Sequence, residues 1–435
     1  MSVLLDLAYG AGLVLGSPVL AYKALTSAKY RTGYAERFGG VAPREGDAPC
    51  VWVHAVSLGE MNLAKPLVEA LAGGHPDWEI VLSTATNTGR AAAARLYPDR
   101  RAFYYPLDFS CVVSKALRRI RPSLILLVEL EVWPNFLAAA ARRGVPVVVV
   151  NGRLSEKSFG RYRLIRPLVG RWLRRVARFC VQADAYAERL KALGAPAERV
   201  TVTGNLKFDS APSEDGLKAA LPTLAASFGL GADVPVLVGG CTWPGEDEAM
   251  VGIYKRLRAG TPSLRLILAP RQADRFGPVE QLIARAGLPC VRRTAIKKGE
   301  RGEPGAVILL DTMGELAGVY GLGTVVFVGG SLIPHGGQNT LEPCALARPV
   351  LFGPHTANFR DVNEELLAHG AARRVADAAE LEAALRDLLA SPDAAADMGR
   401  RARQVVDTHR GATRRTIEAL EPFLQSQAEK GTEKP

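Results

Sequence analysis

The stretch VFVGGSLIPHGGQNTLEPCALARPVLFGPH, residues 326–355, begins as a short apolar strand, runs into glycines, passes Asn339 and Glu342, and enters a helix that Arg348-Pro349 ends. A second apolar run, RPVLFG, follows at once. Strand, glycine turn, helix and strand in that order make a βα unit, and near-continuous apolar runs indicate parallel strands covered on both faces. The turn is not a Walker loop, since no Gly-Lys-Ser/Thr follows, and it lacks the G-x-G-x-x-G dinucleotide fingerprint.

The same alternation extends in both directions. Upstream lie VPVLVGG (234–240), SLRLILAP (263–270) and AVILLD (306–311), each followed by a helical pattern. Before them, DSAPSEDG (209–216) has the proline, serine and acidic content of a linker. The first half repeats the plan with VWVHAV (51–56), EIVLSTAT (79–86), SLILLVE (123–129), VPVVVVN (145–151), FCVQAD (179–184) and VTVTGN (200–205). The chain therefore reads as α/β, with two Rossmann-like domains facing a cleft, a first over 25–210 and a second, with C-terminal helices, over 211–425. A polar tail covers 426–435. In open sheets of this kind ligands bind beyond the carboxyl ends of the strands, so every loop after a strand is a candidate site.

Composition fits. Of 435 residues 48% are hydrophobic and 23% charged, enough to bury two cores, and the formal charge of +11 implies an anionic partner. The six cysteines are far apart with no C-x-x-C pair, which suits buried thiols in a reducing compartment. Residues 1–24 form an apolar segment whose first 22 residues carry one charge, Asp6, before Lys23, Lys29 and Arg31. Basic residues after an apolar run keep the rest of the chain on the cytoplasmic side, so this segment is expected to be a membrane anchor that spans the bilayer or dips into it. A basic amphipathic stretch, RYRLIRPLVGRWLRRVARF (161–179), suits an anionic lipid surface. No RNA-binding or helix-turn-helix signature accompanies it, so nucleic acid is not expected.

Three loops of the first half carry candidate chemistry. VHAVSLGE places His54, Ser57 and Glu60 between a strand and a helix. Ser-x-x-Glu is a capping box by pattern, yet Glu60 is also a candidate general base for a nucleophilic hydroxyl. ELEVWPN ends a strand with Glu129 and Glu131, which alternation puts on one side if the strand continues that far. GNLKFD brings Lys207 beside the linker, where it either pairs with Asp209 or neutralises a phosphate. In the second half GGCTWPGEDEAM, LAPRQADRF, DTMGEL and GGSLIPHGGQNTLEP each join glycine or a polar residue to a helix start, a combination that offers backbone N–H groups to phosphate or sugar oxygens. Four such loops suggest a nucleotide-type ligand.

RTGYAERFG, HAVSLGE, ELEVWPN, TGNLKFD, PRQADRF, DTMGEL and GGQNTLEP together resemble the 3-deoxy-D-manno-octulosonic acid (Kdo) transferases of lipid A biosynthesis, over nearly the whole chain. The resemblance implies a GT-B architecture at the inner, cytoplasmic membrane, CMP-Kdo as donor, a lipid IVA-type acceptor, inversion without a metal, and no cofactor. By the same resemblance Glu60 is the base, Glu131 and Lys207 support the transition state, and CMP contacts Pro270, Arg271, Met313, Gly314, Glu315, Asn339, Thr340, Leu341 and Glu342. Cys241, Trp243, Pro244, Gln272, Gln338 and Thr340 depart from the usual pattern, which bears on the donor loops. Alternatives are a UDP-sugar transferase or epimerase of the same architecture, and a non-catalytic anionic-lipid binder, for which a carboxylate at Glu60 has no use.

Overall fold

A computed structural model describes residues 2–26, 32–211, 214–231, 233–300, 302–303 and 305–432. The chain forms two compact units, one of 1–210 with 410–435 and one of 211–409. The first holds a sheet of β1 (Cys50–His54), β2 (Glu79–Thr84), β3 (Ala102–Tyr104), β4 (Leu124–Val128), β5 (Val147–Gly152), β6 (Arg178–Val181) and β7 (Val200–Val202). Its spatial order is β3-β2-β1-β4-β5-β6-β7, parallel throughout. The second holds β8 (Val236–Thr242), β9 (Arg265–Pro270), β10 (Cys290–Arg292), β11 (Val307–Leu309), β12 (Val325–Val328), β13 (Val350–Phe352) and β14 (Ala372–Arg374). These pair in the order β10-β11-β9-β8-β12-β13-β14, again all parallel.

Alternate residues of one strand serve two cores. Trp52, Ile125, Leu127 and Val149 pack on one face of the first sheet, and Val51, Val53, Leu126 and Val148 on the other. Burial on both faces is why these strands read as unbroken apolar runs. Three strands that the sequence reading did not anticipate, β3, β10 and β14, are three-residue edge strands, and β14 carries Arg373 and Arg374. Strand order reverses between β1 and β4 in the first unit and between β8 and β12 in the second, and such switch points open a crevice at the carboxyl ends.

The chain ends differ from expectation. The sequence pattern extends the second half to residue 425, but the last helix, Ala412–Thr432, belongs to the first unit. Its Leu420 and Leu424 join that unit's core, it packs on the helix Lys65–Gly74, and Asp209 accepts from the N–H groups of Gly411 and Thr413 at its start. The expected polar tail continues this helix to Thr432.

The N-terminal segment forms one helix, Ser2–Thr26. Among the described residues no helix is long and apolar enough to cross a membrane, so the spanning form of the anchor is not borne out. Asp6 accepts from the Ser110 N–H and the Asn135 side-chain amide, both at 2.9 Å, while Tyr9 donates to Asp108 at 3.3 Å. Asp108 in turn accepts from the N–H groups of Asn135 and Phe136 at the start of the helix Pro134–Arg142. The helix is thus held on the first unit by carboxylates while Leu4, Leu7, Val14 and Leu15 stay exposed.

Candidate active site

β1 delivers Glu60 to the first switch point. The strand ends at His54, Ser57 takes extended backbone geometry, and a helix runs from Leu58 to Leu63 with Glu60 in its first turn. Glu60 donates its N–H to the Ser57 hydroxyl oxygen at 3.4 Å, the capping contact that the sequence pattern implies. The Glu60 carboxylate turns back to accept from the Val56 N–H at 2.7 Å and the Ser57 hydroxyl at 3.0 Å. A hydroxyl can do both, since it carries one donor and two lone pairs. The cap therefore aims the carboxylate, and the structural and chemical readings of Ser-x-x-Glu are compatible.

Burial pushes the Glu60 carboxyl up to about 7, against the Val56 N–H and the Ser57 hydroxyl, and the negative charges of Glu129 and Glu131 add to the rise. A base poised near the working pH transfers protons most effectively. The neighbouring charges come from the loop after β4, the strand on the other side of the switch point. β4 stops at Val128 and Glu129 takes φ 60, so the alternation expected for Glu129 and Glu131 does not operate. A non-glycine residue in the left-handed region is strained, and such strain gathers at functional sites. Glu131 accepts from the Trp133 indole at 3.0 Å, and burial raises its pKa too.

Lys207 sits in a short turn of 3₁₀ helix, Leu206–Ser210, which packs against the Glu60 helix. Asp209, two residues on, accepts from the N–H groups of Gly411 and Thr413 at the start of the last helix. His54 is a supporting residue. It is 1% exposed, burial pushes its pKa down to about 3, and its neutral ring stacks on Tyr105 at 3.8 Å.

In the second unit the four singled-out loops leave β11, β9, β8 and β12, which are adjacent and parallel, so all four line one rim of the sheet. Pro270 ends β9 and is buried, while Arg271 beyond it is exposed and anchored by its N–H to the Thr242 carbonyl at 3.0 Å. Met313 is 71% exposed beside Gly314 at φ 88. Glu315 accepts from Arg293 and Lys297, each at 3.1 Å, and from Thr312. Burial opposes its ionisation, but these hydrogen bonds prevail and hold its carboxyl below the usual value. After β12, Asn339 donates to Glu342 at 3.1 Å and accepts from the Leu341 N–H at 3.1 Å. Leu341 is fully buried and the Thr340 hydroxyl donates to Asn363 at 2.6 Å, so these two shape the loop from within. Burial raises the Glu342 pKa, with the Asn339 amide and the Arg271 charge opposing it.

The departures noted in the sequence lie at the same rim. Cys241 sits at φ 53 in a register shift at the end of β8. Burial pushes its thiol up to about 11, which leaves it protonated and unreactive at neutral pH. Trp243 packs on His335, ring centroids 3.6 Å apart, and so joins the loops after β8 and β12.

Residues 32–210 match the family model described as 3-Deoxy-D-manno-octulosonic-acid transferase (kdotransferase). The chain is 33% identical over 430 residues to the 3-deoxy-D-manno-octulosonic acid transferase of Haemophilus influenzae, covering 96% of this chain and 98% of that one. It is 40% identical over 399 residues to the enzyme of the same name from Bordetella pertussis, covering 89% and 90%. Among solved structures, UDP-GlcNAc 2-epimerase from Neisseria meningitidis superposes with a TM-score of 0.56 at 13% identity, covering 86% of this chain and 100% of that one, a likeness of fold.

Proposed function

The chain belongs to the 3-deoxy-D-manno-octulosonic acid transferase family and is a glycosyltransferase of lipopolysaccharide biosynthesis, and from that premise we propose that it moves Kdo from CMP-Kdo to a lipid IVA-type acceptor with Glu60 as general base. The observation that carries this reading is the Glu60 carboxylate at the switch point of the first sheet, held near neutrality by burial and two hydrogen bonds. In this mechanism the acceptor hydroxyl gives its proton to Glu60 as its oxygen bonds to the anomeric carbon. The bond from that carbon to the CMP phosphate oxygen breaks on the opposite side, so the configuration inverts and CMP departs. Glu131 and Lys207 support the charge that develops. In the second unit Arg271 offers a guanidinium to the donor phosphate and Glu342 accepts from the ribose, with Pro270, Met313, Gly314, Glu315 and Asn339 forming the walls and Thr340 and Leu341 shaping the last loop from within. The reading uses no metal and no cofactor.

Ser57 supplies a test of the base's tuning. Its hydroxyl helps hold Glu60 ionised, so Ser57→Ala should move the acid limb of the kcat/KM profile to higher pH. Loss of the cap should also cost about 1 kcal/mol of stability. A limb that stays in place while stability falls would mean that Ser57 acts only as a cap.

The acceptor is lipid-borne in this reading, and the first unit offers a surface for it. Tyr162, Leu164 and Ile165 are exposed between Arg161, Arg163 and Arg166, and the N-terminal helix exposes a second apolar set. Apolar side chains ringed by arginine suit docking on an anionic membrane face. We place the protein on the cytoplasmic face of the inner membrane. Leu164→Glu should lower the fraction that sediments with anionic phospholipid vesicles, and equal sedimentation of variant and wild type would remove this surface from the account.

A further inference from the structure

Glu246 has no part in the chemistry described so far, yet its carboxylate accepts from four backbone N–H groups. It is 0% exposed at the start of the helix Glu246–Gly260. One oxygen accepts from the N–H groups of Ser331 and Leu332, both at 2.9 Å. The other accepts from the N–H groups of Gly330 at 2.7 Å and Trp243 at 3.1 Å. Three successive amides turned on one anion make the concavity in which proteins bind phosphate, and here the chain's own carboxylate fills it. The glycine-rich turn therefore does not present these amides to a ligand, contrary to the role expected of it from the sequence.

The surroundings leave little freedom. A Cβ on Gly329 would lie 2.6 Å from the Cys241 carbonyl oxygen and 2.8 Å from Glu246 Oε2, and one on Gly353 would lie 2.3 Å from the Ser331 carbonyl. Ser331 donates its hydroxyl to the Val328 carbonyl at 2.6 Å and accepts from the Gly353 N–H at 2.9 Å. The loops after β8 and β12 flank the switch point of the second sheet, and Glu246 bonds to both. Next to it, Asp247 is equally buried, accepts from the Thr242 hydroxyl at 2.6 Å and pairs with Arg275 in the loop after β9.

We propose that Glu246 is a positioning residue for the donor: its carboxylate acts as a built-in anion that locks the turn 329–332 and the Trp243 loop in the geometry that receives the nucleotide. This rests on the reading of the second unit as the CMP site. The test is calorimetric titration of CMP into wild type and Glu246→Gln, with circular dichroism to verify folding and steady-state assays with both substrates. The amide keeps the size of the side chain but can no longer accept on both atoms, so at least one buried N–H is orphaned. The expected result is a CMP dissociation constant and a donor KM raised about tenfold or more, with acceptor KM within about twofold, the order that unpaired buried donors impose. Millimolar formate should recover part of the CMP affinity of Glu246→Ala by refilling the concavity, which a side chain needed only for stability would not allow. Should Glu246→Gln fail to fold, Glu246→Asp carries the same comparison with charge retained and reach shortened. Wild-type affinity in a folded variant overturns the proposal alone. A wild-type chain that does not bind CMP overturns the donor reading and this inference with it.

Discussion

Replacing Glu60 by glutamine should lower kcat by about 10²- to 10⁴-fold, the range that a positioned general base contributes, while the affinity for CMP stays unchanged. The substitution keeps the shape of the side chain and its acceptor toward the Val56 N–H, so the fold of the loop should survive. What it removes is the site that takes the proton. The pH dependence follows from the same carboxyl. Only its ionised form is a base, so kcat/KM should rise with pH through about 7, and this limb should vanish in the variant.

Stability should show the opposite sign. The folded-state pKa lies above the ordinary glutamate value of 4.5, so the native state retains a proton that the unfolded chain releases. This contribution is fully present below about 4.5 and is lost as pH rises through about 7. Activity gained and stability lost over one window identify a single group.

Arg271→Ala should raise the KM for the donor about 10- to 100-fold, the loss expected for one charge-assisted hydrogen bond, and should change kcat little. Arg271 is exposed at the rim beside half-buried Glu342, where its positive charge eases ionisation of that carboxyl. Removing the guanidinium takes away a phosphate contact and leaves Glu342 more readily protonated, which also weakens its grip on a hydroxyl. Arg271→Lys should recover only part of the loss, because an ammonium cannot match a phosphate bidentately. Parallel losses for donor and acceptor would mean that Arg271 acts on the fold rather than on the nucleotide.

The long central strands and the βα alternation could be read because burial on both faces writes itself as uninterrupted apolar runs, as in Leu124–Val128. Edge strands of three residues, such as Ala372–Arg374, carry no such pattern. The return of the last helix to the first unit was equally hidden, since it depends on Asp209 reaching Gly411 across 202 positions. Glu60 could be singled out because it follows a strand inside a recognisable cap, whereas its near-neutral carboxyl comes from burial in the folded unit, with charges from a loop of β4 far along the chain adding to it. Glu246 stands within GEDE, in a loop whose sequence suggests backbone N–H groups offered to a ligand and gives no sign of a carboxylate that takes them instead. Only the fold brings three consecutive amides, more than 80 residues later, onto its oxygens.

The account stands or falls on transfer itself. Purified protein should be incubated with CMP-Kdo and lipid IVA and the lipid analysed by mass spectrometry, with Glu60→Gln in parallel. The account predicts a lipid product heavier by Kdo, released CMP, and almost no product from the variant. Unchanged lipid with the wild-type chain, or equal product from Glu60→Gln, would contradict it.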